Sequence, residues 1–176
     1  MGNMLQMLVR YSAWANQELF DKLDALDAVQ WEAELLIARR LIGHLHVVSR
    51  IFAGHLQGET HGFTSTNFET ALPLGQLREA VAATDQWYID YVDALSAEAR
   101  IEPVAFTFTD GDRGSMTREE MLVHVSLHAG YHRGEIGRLL TQASVTPPWD
   151  TLAVYLHQNE PARRDKGFSQ DGSGAG

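Results

Sequence analysis

The chain of 176 residues is long enough for one domain with a substantial core, and its 44% apolar and 21% charged residues are ordinary for a globular protein. Its 23 acidic and 14 basic residues give a formal net charge of −9, which argues against binding to nucleic acid or to an anionic membrane surface. It has no cysteine, so disulfides, cysteine-ligated zinc and a thiol nucleophile of its own are excluded. No apolar run approaches the roughly 18 residues of a membrane span, and no signal-peptide pattern opens the chain, so we expect a cytoplasmic protein.

Four long segments carry apolar residues at helical spacing and predict four helices. They cover about residues 4–26, 38–57, 73–97 and 118–141. The stretch from residue 27 to 33 predicts a loop or a short turn of helix. Residues 58–75 are rich in Gly, Thr, Ser, Asn and Pro, and predict a long connection.

The helical spacing of apolar residues is interrupted before the fourth helix. Residues 104–109 are rich in β-branched and aromatic side chains and are followed by Asp110-Gly111, which predicts a short hairpin or an extended crossover. Thr117 and Glu120 have the spacing of a capping box and predict the start of the fourth helix. A short final helix is expected from about Asp150 through about His157.

These elements predict an all-α protein with a four-helix bundle, in which metal sites are built from side chains on facing helices. We expect a single domain over residues 1–160. Residues 161–176 are rich in glycine and predict a flexible C-terminal tail.

Two histidines of the fourth helix point to a metal site. His128 and His132 are four residues apart, so their side chains lie on one face of a helix, within an otherwise apolar stripe. Two buried imidazoles in register need polar partners, and a shared metal ion would satisfy both. Two partly buried structural histidines are the alternative.

A third ligand is expected from the second helix. His44 interrupts the apolar stripe of that helix, whereas His46 lies about 200° away round the helix axis and faces elsewhere. His55 is on the same stripe as His44 but much further along it. His44 is therefore the best candidate for the third ligand.

Several neighbouring residues are given lesser roles. His124 is at the edge of the stripe, which favours a supporting or surface position. Tyr131 and Glu135 are near enough in sequence to hydrogen bond to a ligand or to take part in catalysis, and the sequence assigns neither role nor a general base. Trp14, Trp87 and Tyr91 are expected in the core.

Several motifs together resemble one known family. They are YSAWAN at 11–16, GH at 43–44, RIF at 50–52, FTFTDG at 106–111, HVSLHAGYHRGE at 124–135 and PPWD at 147–150. In this order and character they resemble the DinB/YfiT-like superfamily over roughly residues 4–157. The histidine-rich motif is the most specific of the set.

The resemblance implies an up-down-down-up four-helix bundle, commonly a homodimer, with a divalent metal held by His44, His128 and His132. Members of the superfamily include S-transferases that use bacillithiol and isomerases that use mycothiol or glutathione. Two departures bear on specificity: Glu135 stands where the motif often carries Gln, and Arg39-Arg40 stand where many relatives have small polar residues.

Three neutral imidazoles leave open positions on a metal ion for water or substrate, which favours an enzyme. We expect a metal-dependent S-transferase or isomerase acting on a small-molecule substrate with a low-molecular-weight thiol, the metal being zinc, nickel or iron. The alternatives are a metal-dependent hydrolase, a non-catalytic metal-binding or stress-related helical module, and a site that has lost its metal.

Overall fold

The computed structural model describes residues 3–163 and is mostly helical, as predicted. The prediction of a flexible tail over 161–176 lies outside the described residues, apart from a 3-10 turn at Pro161–Arg163. Of the described helices, none combines the length and apolarity needed to cross a bilayer. In chain order the helices and strands are α1 (Met4–Asp24), α2 (Glu32–Gln57), α3 (Leu74–Ala94), α4 (Ala97–Arg100), β1 (Pro103–Thr107), β2 (Arg113–Thr117), α5 (Arg118–Gln142) and α6 (Leu152–Asn159).

The start of α2 differs from the prediction. The helix begins at Glu32, six residues before the predicted start at residue 38, although the N-cap residue Trp31 makes no side-chain capping bond. Glu32 and Glu34 lie in the first turn, where acidic side chains interact favourably with the helix dipole. The sequence prediction missed this turn because residues 32–37 lack a clear apolar stripe.

The end of α3 also differs. The helix ends at Ala94, and Ser96 takes an extended conformation in which its side chain accepts a hydrogen bond from the backbone of Ala99. A serine in this conformation starts a new helix rather than continuing the old one. The predicted helix over 73–97 is therefore one long helix followed by the beginning of the short α4.

The predicted extended segment is a two-stranded antiparallel hairpin, with Phe106 of β1 opposite Gly114 of β2. A Cβ atom at Gly114 would lie 2.8 Å from the Phe106 ring, so a larger residue there would have to displace that ring. Thr117 and Glu120 form the capping box predicted for the start of α5, each side chain bonding to the backbone of the other residue. The hairpin therefore leads directly into the helix that carries the histidine motif.

Four long helices pack around the core, and each contacts two of the others. Helices α2 and α5 run antiparallel, because His44 contacts His128 while Leu56, further along α2, accepts a hydrogen bond from Arg118. Their seam carries most of the functional candidates described below. The fully buried side chains with the largest volumes come from α2, α3 and α5: Val47, Leu77, Val92, Met121, Leu122, Ile136 and Leu140.

Candidate metal centre

The structure brings His44, His128 and His132 together at the seam between α2 and α5. The Nε2 atom of His128 lies 3.2 Å from Nε2 of His44 and 3.2 Å from Nε2 of His132. One ligand atom from each residue falls within 4.8 Å of the other two. We call these three residues the histidine triad. All three side chains are partly buried.

A loop carbonyl orients His44. Nδ1 of His44 donates to the carbonyl oxygen of Thr66, at 2.9 Å, which places the remaining lone pair on Nε2. The loop can lie this close because residue 43 is a glycine. A Cβ atom at this position would be only 3.2 Å from the Phe68 ring of the loop. Arg39 also ties the loop to α2, because its guanidinium donates to two loop carbonyls, those of Ala71 and Leu72. Nothing in the sequence signals a backbone acceptor such as Thr66.

A carboxylate orients His132 in the same way. Nδ1 of His132 donates to Oε2 of Glu135, one turn along α5, at 2.6 Å. This pairing is the carboxylate–histidine arrangement common behind metal ligands, where it fixes the tautomer and makes the free nitrogen more basic. Glu135 is one of the two residues that the sequence indicates for this role. The other, Tyr131, is 68% exposed and places its ring edge against His132.

The hydrogen-bond pattern within the triad is incomplete. In the neutral rings of His44 and His132, Nδ1 carries the proton that is donated to Thr66 or Glu135, and Nε2 carries the lone pair. Nε2 of His128 can supply at most one proton between them, so two or more lone pairs converge on one point. A positive ion would remove this repulsion.

The donor set fits a divalent metal ion. Zn–N bonds of about 2.0–2.1 Å in tetrahedral geometry separate two ligand nitrogens by about 3.3 Å, close to the observed 3.2 Å. Burial lowers the pKa of His128 to about 4, with His132, His44 and His124 contributing, and burial also lowers the pKa of His44. Both imidazoles are therefore neutral at pH 7, as ligation requires.

The other candidate histidines lie outside the triad. His46 faces away from it, stacking on Phe68, as the helical spacing predicts. His124 is half-buried and stacks on His128, with ring centroids 5.7 Å apart, so it supports the triad without joining it. His55 is further along the seam and contacts His61 of the loop.

Sequence reasoning missed a buried polar cluster on the neighbouring face of α5. The Arg133 side chain is 1% exposed and forms an ion pair with Asp150, Nε to Oδ2, at 2.7 Å. It also donates to Ser12 and to Asn16, whose amide donates in turn to Asp85. We call these five residues the arginine network. The sequence contains a signal that Arg133 faces inward, because it lies at helical spacing within a mostly apolar stripe: Leu122, Ser126, Ala129, Arg133, Ile136 and Leu140.

The network explains two of the motifs noted in the sequence. Ser12 and Asn16 come from the YSAWAN segment and Asp150 from the PPWD segment, and both meet at Arg133. The Tyr11 hydroxyl donates to Asp150, and burial together with that carboxylate raises the pKa of Tyr11 to about 12. These segments therefore fix α5 against α1 and the C-terminal segment, and contribute no residue to the triad.

Comparison with known proteins shows the family of this chain. Protein DinB of Bacillus subtilis (strain 168) is 26% identical over 167 residues, covering 89% of this chain and 95% of that protein. No solved structure gives a significant match. The sequence profile of the DinB family matches residues 1–165, which include the triad and the arginine network. The chain belongs to the DinB family.

Proposed function

We propose that the histidine triad binds one divalent metal ion and that the protein is a metal-dependent enzyme acting on a low-molecular-weight thiol, as an S-transferase or an isomerase. The observation that carries the metal is the convergence of the three imidazoles: Nε2 of His128 lies 3.2 Å from Nε2 of His44 and of His132, one ligand atom from each residue falls within 4.8 Å of the others, and two of the rings are already oriented from behind. Zinc, nickel and iron all suit an all-imidazole set of ligands.

A metal ion at this position would lower the pKa of a thiol or a water molecule and so supply a nucleophile near neutral pH. The chain's own residues would hold and orient the metal ion. The triad provides the ligands, and Thr66 and Glu135 fix the rings of His44 and His132. Because the sequence has no cysteine, the thiol has to come from the substrate. In a transfer reaction its sulfur forms a bond to an electrophilic carbon, the leaving group departs with its bonding electrons, and the thiol proton goes to solvent.

The test is thiol-dependent activity of the untagged protein. Zinc-loaded and chelator-treated protein are each given glutathione and 1-chloro-2,4-dinitrobenzene, and formation of the S-conjugate with release of chloride is followed. His44→Ala should lose the zinc-dependent rate. His46→Ala is the matched control, since His46 is on the same helix but stacks on Phe68, and it should keep that rate. A zinc-dependent rate unchanged in His44→Ala would contradict the proposal.

The same samples separate the alternatives. A metal-dependent hydrolase would cleave an ester such as 4-nitrophenyl acetate without added thiol and lose this activity in His44→Ala. A non-catalytic module would show neither reaction, although zinc would still raise its melting temperature through ligand linkage. A site that has lost its metal would show no thermal shift with zinc, nickel or iron.

We further propose that the four long helices form an up-down-down-up bundle. Supporting this are the antiparallel pairing of α2 with α5, and that of α1 with α3, in which Arg10 contacts Asp93 while Asp21 contacts Arg78.

A homodimer is proposed as well. Leu127 and Tyr131 are 65% and 68% exposed one turn apart on α5, which supports self-association through this face. Leu127→Asp should then shift the mass measured by light scattering from dimer to monomer.

A further inference from the structure

A cavity of about 190 Å³ lies between α1 and α3, two helices that contribute no residue to the triad. We call it the α1–α3 cavity. Its apolar walls are Ala13 and Phe20 of α1 and Val81, Ala82 and Ile89 of α3. A cavity of about 150 Å³ is large enough for benzene, so this one can hold a small organic molecule.

Asp85 places a carboxylate in the α1–α3 cavity. The same residue lines a much smaller space in the core, beside Ser49 and Leu122, so it lies at the inner side of the cavity. Both of its oxygens accept from the amide nitrogen of Asn16, at 3.1 and 2.9 Å. A carboxylate offers about four lone-pair sites, so these two contacts leave sites for a further donor.

Among residues 3–163, no cationic side chain lies within ion-pair distance of this carboxylate. Arg133 contacts Asp85 only through Asn16, and its own ion pair is with Asp150. Burial raises the pKa of Asp85 to about 6, against the opposing effects of Asn16 and Arg133. At pH 7 the carboxyl is therefore mostly ionised, and a bound cation would reduce the cost of burying its charge.

The charged groups of the cavity favour an organic cation over an anion or a bare metal ion. Arg78, the cationic side chain that lines it, is already paired with Asp21 and Asp24, at 2.9 and 2.8 Å. Asp85 is the one carboxylate among the lining residues, whereas a divalent metal ion with oxygen ligands requires several. An organic cation needs a single carboxylate and an apolar surface for its carbon atoms.

Two glutamines at the cavity provide further acceptors. Gln17 and Gln86 are exposed, and their amide nitrogens donate to Asp21 and Asp90, at 3.0 and 2.8 Å. This leaves their side-chain oxygens as acceptors, and no donor among residues 3–163 bonds to either of them. Several acceptors around one carboxylate suit a ligand group that carries several N–H bonds.

We propose that the α1–α3 cavity binds a primary alkylammonium ion with a chain of about four carbons, a size that follows from the cavity volume. One N–H of the ammonium group donates to Asp85, and the side-chain oxygens of Gln17 and Gln86 accept from the others. The carbon chain packs against the apolar walls, where it is removed from water. Binding at this cavity involves neither the triad nor its metal, so it holds whether or not the protein is an enzyme.

The probe is n-butylammonium chloride, with 1-butanol as the matched compound that has the same chain without the charge. The protein as purified is titrated at pH 7 and constant ionic strength, and the alanine methyl signals are followed by NMR. We expect butylammonium to shift the signals of Ala13 and Ala82 until they saturate, with that of Ala153 on α6 unchanged. 1-Butanol should bind about tenfold more weakly, because it cannot form an ion pair with the carboxylate.

Two variants test the two parts of the site. Asp85→Asn removes the carboxylate and should weaken butylammonium binding by about tenfold. Its control is Glu79→Gln, which removes an equal charge elsewhere on α3 and should bind like the parent. Ala82→Leu fills the cavity with a larger side chain and should weaken binding similarly. Its control is Ala83→Leu, because Ala83 is also exposed on α3 but does not line the cavity.

Equal affinity for the two compounds, shifts centred away from Ala13 and Ala82, or unchanged affinity in Asp85→Asn or in Ala82→Leu would each overturn the inference. One-dimensional NMR spectra show whether each variant remains folded. Ala82→Leu changes an exposed residue, so it tests the site even if Asp85→Asn disturbs the arginine network. A protein that holds no metal at the triad would refute the proposed function and leave the outcome of this titration unchanged.

Discussion

Two adjacent residues of α5 illustrate two ways of keeping polar groups inside a helical protein. His132 faces the seam with α2, where it meets His44 and His128, whereas Arg133 faces α1 and the C-terminal segment. In the arginine network the guanidinium donates from all three nitrogens to Asp150, Ser12 and Asn16. In the histidine triad, lone pairs face one another.

This difference separates a structural cluster from a binding site. A buried polar group that has all its partners within the protein contributes to the fold and leaves nothing for a ligand. The triad is also held from behind, by Thr66 and Glu135, but its inner nitrogens face one another, and a bound cation would satisfy their lone pairs. Changes in the two regions should therefore affect different measurements: stability for the network and metal binding for the triad.

The largest effect is expected from Arg133→Met. The change leaves the Asp150 carboxylate and the polar groups of Ser12 and Asn16 without their cation, in a site where the arginine side chain was 1% exposed. Breaking a buried pair in this way costs about 3–5 kcal/mol of unfolding free energy. Urea denaturation of metal-free protein measures it. Arg10→Met, which removes the exposed pair with Asp93, is the control and should change little. Equal losses in the two variants would contradict the structural role of the network.

A pH effect is expected from Asp85. Burial raises the pKa of its carboxyl from 3.8 to about 6, although its bond with Asn16 and the charge of Arg133 act in the opposite direction. The folded protein therefore binds the Asp85 proton more tightly than the unfolded chain does. This proton's contribution to the free energy of unfolding is fully present below pH 4 and is lost as the pH rises through 6. The loss amounts to about 3 kcal/mol.

The measurement is the difference in unfolding free energy between the parent and Asp85→Asn, in chelator, from pH 4 to pH 7. The histidines are the same in both proteins, so their contribution to the pH dependence of stability cancels in this difference. The parent should lose stability relative to the variant as the pH increases. A difference that stays constant over this range would show that Asp85 is not held in a raised-pKa state.

For the triad, His128→Leu should affect metal binding and leave the metal-free fold nearly unchanged. Zinc at 100 times its Kd should stabilise the parent by about 2.7 kcal/mol, and should not stabilise the variant. In chelator the variant should unfold close to the parent, because leucine removes one of the mutually repelling nitrogens. Thermal melts with and without zinc measure both effects. A large loss of stability in chelator would place His128 among the structural polar residues instead.

The smallest effect is expected from Glu135→Gln. The amide oxygen of glutamine can still accept from Nδ1 of His132, so the tautomer is kept while the negative charge is lost. Loss of such support behind a ligand weakens metal binding by about tenfold. Competition with a chromophoric zinc chelator measures the change, and Glu119→Gln, at the start of the same helix, is the control. Unchanged zinc affinity would show that the carboxylate contributes only geometry.

The sequence predicted features that depend on residues close together along the chain. The capping box of Thr117 and Glu120 depends on residues three apart, and the facing of His128 and His132 depends on helical periodicity alone. His44 was found because it interrupts an apolar stripe, and the structure brings it to within 3.2 Å of His128.

Other features that depend on contacts distant in sequence were not predicted. Thr66 orients His44 through a backbone carbonyl, which no side-chain pattern encodes. Arg133 collects partners 17 to 121 residues away, and its inward position was visible in the sequence only as a charge within an apolar stripe. The early start of α2 was missed because its first turn is stabilised by acidic residues and not by an apolar stripe.

The most direct test of the account is the metal content of untagged protein purified without chelator or a metal column, measured by elemental analysis beside His44→Ala, His128→Ala and Arg133→Lys. We expect about one divalent ion per chain in the parent, none in the two histidine variants, and about one in folded Arg133→Lys. A parent that holds no metal even after zinc, nickel or iron is added, or histidine variants that keep it, would contradict the assignment of the triad as a metal site.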